Sequence, residues 1–152
     1  MGNLLDPLNF PLHGIRLIEA SAGTGKTYTI AALYLRLVLG HGGENGFSRP
    51  LTPPEILVVT FTNAATEELR DRIRGRLTEA AAFFRGQGTG DAYLNALRGD
   101  YDACRWPICA RLLDQAAQWM DESAIHTIHA WCQQMIRQHA FDSGGLFDLE
   151  LA

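Results

Sequence analysis

Three short segments of this 152-residue chain share one layout: EASAGTGKT at 19–27, TFTNAATEEL at 60–69 and HTIHAWCQQM at 126–135. In each, an apolar run ends in small or hydroxylated residues and passes directly into helical spacing. Three strand-to-helix junctions of this kind favour parallel strands joined by helical crossovers. The expected fold is therefore α/β, a parallel sheet flanked by helices. The ligand edge of such a sheet lies at the carboxyl ends of its strands, so all three junctions are expected along one edge.

The first junction carries the chain's single lysine, Lys26; the other twelve basic residues are arginines. A lone lysine within Gly-Thr-Gly-Lys-Thr suggests chemistry that wants a compact ammonium rather than a planar guanidinium. Ile15, Leu17 and Ile18 read as a short strand. Residues 26–39 read as a helix with Ile30, Leu33, Tyr34, Leu37 and Val38 inward, stopped by Gly40 and Gly42. Strand, glycine loop and helix together make a phosphate cradle of inward backbone N–H groups backed by a positive helix end. The usual pattern is G-x-x-x-x-G-K-[ST]; here Gly25, Lys26 and Thr27 are present and Ala20 stands in the first glycine's place. The expected nucleotide-binding residues are Ala20, Ser21, Ala22, Gly23, Thr24, Gly25, Lys26 and Thr27. Lys26 would reach the β- and γ-phosphates, and Thr27 would hold Mg²⁺ through its hydroxyl. The alternative is a glycine-rich turn with no ligand.

Residues 40–54 are a Gly- and Pro-rich connection, followed by EILVVTFT at 55–62, an apolar run of the buried parallel-strand kind. The next helix has an inward stripe of Ala65, Leu69, Ile73, Leu77, Ala80 and Phe84, with Asn63 as its expected N-cap. GQGTG at 86–90 leads to an irregular stretch, 91–105. A helical pattern through Ile108, Leu112, Leu113, Ala116, Trp119 and Met120 comes next, then the strand AIHTI at 124–128. A terminal helix presents Ile128, Cys132, Met135, Ile136 and His139 on one face.

The net charge of −4 gives no global field for nucleic acid, so any strand binding must come from local groups. Cys104, Cys109 and Cys132 form no C-x-x-C pair, which fits reduced thiols better than a disulfide framework. With no apolar run approaching ~18 residues and no secretory signal, the expectation is a soluble, cytoplasmic protein. His126, His129 and Cys132 straddle a strand-to-helix turn and lack the ligand-pair spacing of a structural zinc site. Asp121 and Glu122 in QWMDES imitate the acidic box that follows a buried strand in nucleotide hydrolases. Trp119 and Met120 continue the helical stripe, however, so a solvated helix end is the better reading. LFDLEL at 146–151 is a second imitation.

The motifs together resemble the superfamily 1 helicases of the UvrD and RecB type, and within them the beta-subunit family of bacterial exodeoxyribonuclease V. Residues 20–27 resemble helicase motif I, where alanine commonly replaces the first glycine. VVTFTNAATEELRDRI at 58–73 resembles motif Ia, and TIHAWCQQMI at 127–136 resembles motif Ib. LDPLNFPLHGIRLIEASAGTGKT and MDESAIHTIHAWC are similar to the beta-subunit family in particular.

The resemblance implies a three-layer P-loop (RecA-like) parallel sheet flanked by helices, incomplete here: residues 1–152 would be the N-terminal portion of a first RecA-like helicase domain, with the start of an inserted helical region around 86–120. It implies ATP with Mg²⁺ as cofactors, single-stranded DNA and the other exodeoxyribonuclease V subunits as partners, and ATP-driven translocation in double-strand break repair and recombination. Phe61, Thr62 and Asn63 of motif Ia and Thr127 and His129 of motif Ib would contact single-stranded DNA; an aromatic ring can stack on a base, and hydroxyls and an imidazole can hold phosphates. Phe61 could equally be the last core residue of its strand, and His129 could serve a helix-start hydrogen bond. The family places a glutamine before motif I to read the adenine edge; His13 occupies that position here, with one donor and one acceptor. Outside the resemblance, a complete small P-loop kinase or NTPase and a nucleotide-insensitive binding module remain open. An acidic box downstream of Ala152 would select the helicase portion, which on its own is expected to be inactive.

Overall fold

The computed structural model describes residues 5–19 and 25–142. Among these residues five α-helices and two strands follow one another as α1 (Lys26–Leu39), β1 (Val58–Thr60), α2 (Asn63–Phe84), α3 (Ala92–Gly99), α4 (Trp106–Gln118), β2 (Ile125–Thr127) and α5 (Ile128–Asp142). The chain is α/β, as expected, and its two strands are parallel, with Val58 beside Ile125, Val59 beside His126 and Thr60 beside Thr127.

The 22-residue α2 is the central element, packed against α1, α4 and both strands. Ion pairs from Arg74 to Asp121 (2.6 Å) and from Arg85 to Asp114 (3.4 Å) show that α4 runs antiparallel to it. Leu69, Ile73, Leu77, Ala80 and Phe84 face the core as their spacing predicts. Ala65 is exposed and Thr66 is buried in its stead. The core is mainly helical, formed by Tyr34 and Leu35 of α1, Leu94 and Leu97 of α3, Leu113 of α4 and Met120 beyond it. Burying each such side chain favours folding by about 1.5–3 kcal/mol.

The limits of α1 match the reading, with Gly25 and Gly40 in left-handed conformation at its two ends. Its buried side differs. Ala31, Ala32, Leu35 and Leu39 are buried alongside Tyr34 and Val38, Ile30 is 38% exposed, and Arg36 is fully enclosed. A helix packed on several elements at once has no single apolar stripe, so a 3.6-residue period underdetermines its orientation.

Ile15, Leu17 and Ile18 do not form the expected strand: Ile15 and Leu17 lie fully or largely exposed in irregular backbone. A strand needs a neighbour for its N–H and C=O groups, and among the described residues β1 and β2 pair only with each other. The 91–105 stretch, expected to be irregular, contains α3. Asp91 caps it by accepting from the Leu94 N–H at 2.9 Å. In α4, Leu113, Ala116 and the following Met120 are buried, while Ile108 and Trp119 are about half exposed. The α5 face carrying Ile128, Cys132 and Ile136 is open rather than covered.

Candidate functional site

Gly25 has φ 85° and ψ 26°, a left-handed geometry that glycine adopts without strain. Its carbonyl accepts the first intrahelical bond, from Thr29 N–H at 2.9 Å. Lys26, Thr27 and Tyr28 therefore start a helix whose first N–H groups have no intrahelical acceptor. No acidic residue stands in that turn, and among the described residues no side chain caps it. A left-handed glycine followed by an exposed lysine at an open helix start fits an anionic phosphate. Ala20, Ser21, Ala22, Gly23 and Thr24 lie outside the described residues, so only the exit of the expected loop is seen.

Thr27 lines a cleft of about 190 Å³ with Tyr28, Ala31, Arg72, Gly75, Arg76 and Glu79. Here α1 meets the middle of α2. Arg76 is largely buried, donating to Asp91 at 2.7 Å and to Glu79 at 3.1 Å. The Tyr28 hydroxyl donates to the same Asp91 oxygen at 2.9 Å. Burial alone would raise the Asp91 pKa; the bonds from the Leu94 N–H, Arg76 and Tyr28 outweigh it and hold the carboxyl below its ordinary value. Burial and Asp91 push the Tyr28 phenol up. The sequence reading missed this cluster. The signal was Asp91 preceding Tyr93, Leu94 and Leu97, a capping residue ahead of helical spacing.

The second and third junctions lie side by side, because β1 and β2 end flush at Thr60 and Thr127. At the first of these, the cap of α2 is Thr62 rather than Asn63: its Oγ1 accepts from the Ala65 N–H at 3.1 Å. The chain leaves β1 in extended conformation through Thr62 and turns helical at Asn63, so the helix starts one residue earlier than an Asn63 cap would have it. Thr60 and Thr66 hydroxyls bond each other at 2.6 Å beneath that cap. Phe61 is 89% exposed and so is not a core residue. At the neighbouring junction Thr127 Oγ1 accepts from the Ala130 N–H at 3.1 Å, which leaves His129 exposed and uninvolved in the cap.

Two of the three expected junctions thus share an edge. The first does not join them through a strand. Arg72 to Glu79, which flank Thr27, lie about 13 Å or more along α2 from Asn63. The extended segment expected to carry the loop to the edge has no ladder partner. His13 is exposed, and its carbonyl accepts from Arg16 Nε at 3.3 Å. Asp121 is 82% exposed and paired with Arg74, in a short turn after α4 rather than at a strand end. Among the described residues no group of three His, Cys, Asp or Glu side chains converges as a metal site. No described helix is long and apolar enough to cross a membrane.

The model of the UvrD/REP helicase N-terminal domain matches residues 5–150. The chain belongs to that family. It is 52% identical over 160 residues to the RecBCD enzyme subunit RecB of Escherichia coli (strain K12), an alignment covering 97% of this chain and 12% of that protein. The subunit of the same name from Haemophilus influenzae is 51% identical, again over 97% of this chain and 12% of the relative. That of Mycobacterium tuberculosis (strain H37Rv) is 35% identical, over 97% and 13%. The chain spans about an eighth of the length of these relatives. As a UvrD/REP-type helicase sequence, it carries Gly25, Lys26 and Thr27 at the start of α1.

Proposed function

We propose that this chain is the nucleotide-binding part, and one portion of the DNA-binding surface, of a helicase subunit acting in double-strand break repair and recombination. The observation that carries the reading is Gly25–Lys26–Thr27 opening α1 within a chain matched from residue 5 to 150 by the UvrD/REP helicase N-terminal domain. In the full-length protein, ATP-driven translocation along single-stranded DNA is the proposed activity, with the other subunits of a RecBCD-type enzyme as partners. The proposed location is the bacterial cytoplasm.

Lys26 and the backbone from Gly23 to Thr27 would hold the phosphates, with Ala20, Ser21 and Ala22 in the same loop. The Thr27 hydroxyl would hold Mg²⁺, whose chemistry is to neutralise charge on the transferring phosphoryl group. The role of Lys26 is that of a compact, mobile ammonium at the positive end of α1. His13 would face the base. On the edge shared by β1 and β2, exposed Phe61 would stack on a base of single-stranded DNA. Thr62, Asn63, Thr127 and His129 would approach the phosphates beside it. That Thr62 and Thr127 already use their side chains as caps favours contact through their junctions' backbone N–H groups as well.

The test is Lys26→Ala in the full-length protein. DNA-stimulated ATP hydrolysis is expected to disappear while the unfolding midpoint stays within a few degrees of wild type. Retained DNA-stimulated hydrolysis would remove the proposed role.

A further inference from the structure

Arg36 is the largest fully enclosed side chain in the described structure, and every partner it has lies off its own helix. Nη1 donates to the carbonyls of Pro7 (2.9 Å) and Phe10 (2.5 Å), and Nη2 to the carbonyl of Asn45 (3.3 Å). Nε donates to His41 Nδ1 at 3.1 Å. Because Nδ1 accepts, the imidazole proton sits on Nε2, which donates to Asp100 at 2.8 Å. Asp100 stands directly after α3, so the helical region between α2 and α4 supplies the outermost member of a relay from Asp100 through His41 to Arg36.

The relay ends on the N-terminal segment. The Asn45 carbonyl that receives Arg36 Nη2 also accepts from the Leu12 N–H at 2.7 Å, and Leu12 immediately precedes His13. Asp6 folds the beginning of that segment by accepting from the Leu8 N–H and from Asn9 Nδ2. Gly42 leaves the guanidinium its space: a Cβ there would collide with Arg36 Nη2.

Enclosing a guanidinium costs solvation, and burial lowers the Arg36 pKa accordingly. An apolar side chain would fill the volume without that cost. What the planar, five-donor group adds is the gathering of three carbonyls from two separate chain segments at fixed angles. We propose that Arg36, backed by His41 and Asp100, is a positioning residue that holds residues 7–12 and thereby places His13 against the base of a bound nucleoside triphosphate. This rests on the assignment of His13 to the base and of Gly23–Thr27 to the phosphates. Binding of the triphosphate moiety itself belongs to the opposite end of α1 and is independent of the relay.

The experiment compares ATP with inorganic tripolyphosphate, each with Mg²⁺, by calorimetric titration of the full-length protein. The variants are Arg36→Met, Asp100→Asn and, as a purely structural control, Leu35→Ala in the neighbouring enclosed position. Wild type is expected to bind ATP more tightly than tripolyphosphate. Arg36→Met should shrink that preference about tenfold, the equivalent of one charge-assisted hydrogen bond, with tripolyphosphate affinity unchanged. Asp100→Asn, which touches only His41, should shrink it less. Leu35→Ala should lower the unfolding midpoint and keep the preference. A preference that survives both relay variants overturns the inference, and so does an equal loss in Leu35→Ala. Should Arg36→Met fail to fold, Asp100→Asn decides by the same criterion. Equal binding of the two ligands by wild type removes the base assignment of His13 and the inference with it. Binding of neither refutes the nucleotide reading itself, so the two failures are distinguishable.

Discussion

The Tyr28 hydroxyl donates to the Asp91 carboxylate at 2.9 Å, which ties the first turn of α1 to the N-cap of α3. One carboxylate does both tasks: Oδ1 caps α3 and Oδ2 receives Tyr28 and Arg76. The residue next to Thr27 is thereby fixed to the helical region and to the middle of α2 at once. Asp91→Ala removes a helix cap and two side-chain partners together. It is expected to lower stability by about 1–2 kcal/mol in urea unfolding. Tyr28→Phe, which loses the hydroxyl alone, should cost about half as much.

The same carboxylate gives the fold an acid limit. Asp91 has a pKa below its ordinary 3.8 in the folded chain. A depressed carboxyl contributes stability that is complete above the unfolded value and is lost as pH falls through the folded one. Stability is therefore expected to decline below about pH 4. In Asp91→Asn, the part of that decline that Asp91 causes should vanish. A pH series of thermal unfolding curves for the two proteins checks this.

Gly25 takes φ 85°, where a Cβ meets no atom of the described residues within 4 Å yet the backbone conformation itself opposes any L side chain. Gly25→Ala is expected to cost about 1–2 kcal/mol through that strain alone. It should weaken nucleotide binding further, because the helix start would shift. Chemical unfolding and nucleotide titration on the same sample separate the two effects.

Much of this was legible from local chemistry. The ends of α1 followed from Gly25 and Gly40, and the strands around Val58–Thr60 and Ile125–Thr127 from short β-branched runs next to capping residues. What escaped was set by distant chain. The three carbonyls that enclose Arg36 come from Pro7, Phe10 and Asn45, and no spacing within α1 announces them. Ile15, Leu17 and Ile18 read as a strand because composition reports a preference for extended backbone. Whether a strand forms depends on a neighbour to bond with. Asn is the stronger capping type, yet Thr62 caps α2, because it is the last residue in extended backbone and geometry overrides that preference. At the candidate site, exposed Phe61 could have been inferred from alternation: Val58 and Thr60 are half-buried, so the odd-numbered side chains point away.

Phe61 is 89% exposed at the edge where β1 and β2 end, and its ring contributes little to the core. Phe61→Ala should change stability by no more than about 0.5 kcal/mol. Loss of one stacking platform is expected to weaken single-stranded DNA binding by about 1–3 kcal/mol. Fluorescence anisotropy with a labelled oligonucleotide, run on the full-length protein beside an unfolding curve, measures both.

The last prediction concerns turnover by residues 1–152 alone. Beside Thr27 the carboxylate lining the cleft is Glu79, and it is held by Arg76 at 3.1 Å rather than free to orient water. Asp121, the nearest imitation of an acidic box, points to solvent and to Arg74 after α4. In phosphoryl transfer a transition-state arginine is worth at least ~10³-fold in rate, and a correctly placed acid holds the metal. Arg72 and Arg76 line the cleft, yet Arg72 is paired with Glu68 at 3.2 Å and Arg76 with Asp91 and Glu79. With its charges already engaged, the isolated chain is expected to hydrolyse almost no ATP, with or without single-stranded DNA. Steady-state phosphate release from the isolated chain and the full-length protein, each with a Lys26→Ala partner, gives the comparison. Robust, Lys26-dependent turnover by residues 1–152 would establish a complete NTPase in place of the helicase portion proposed above.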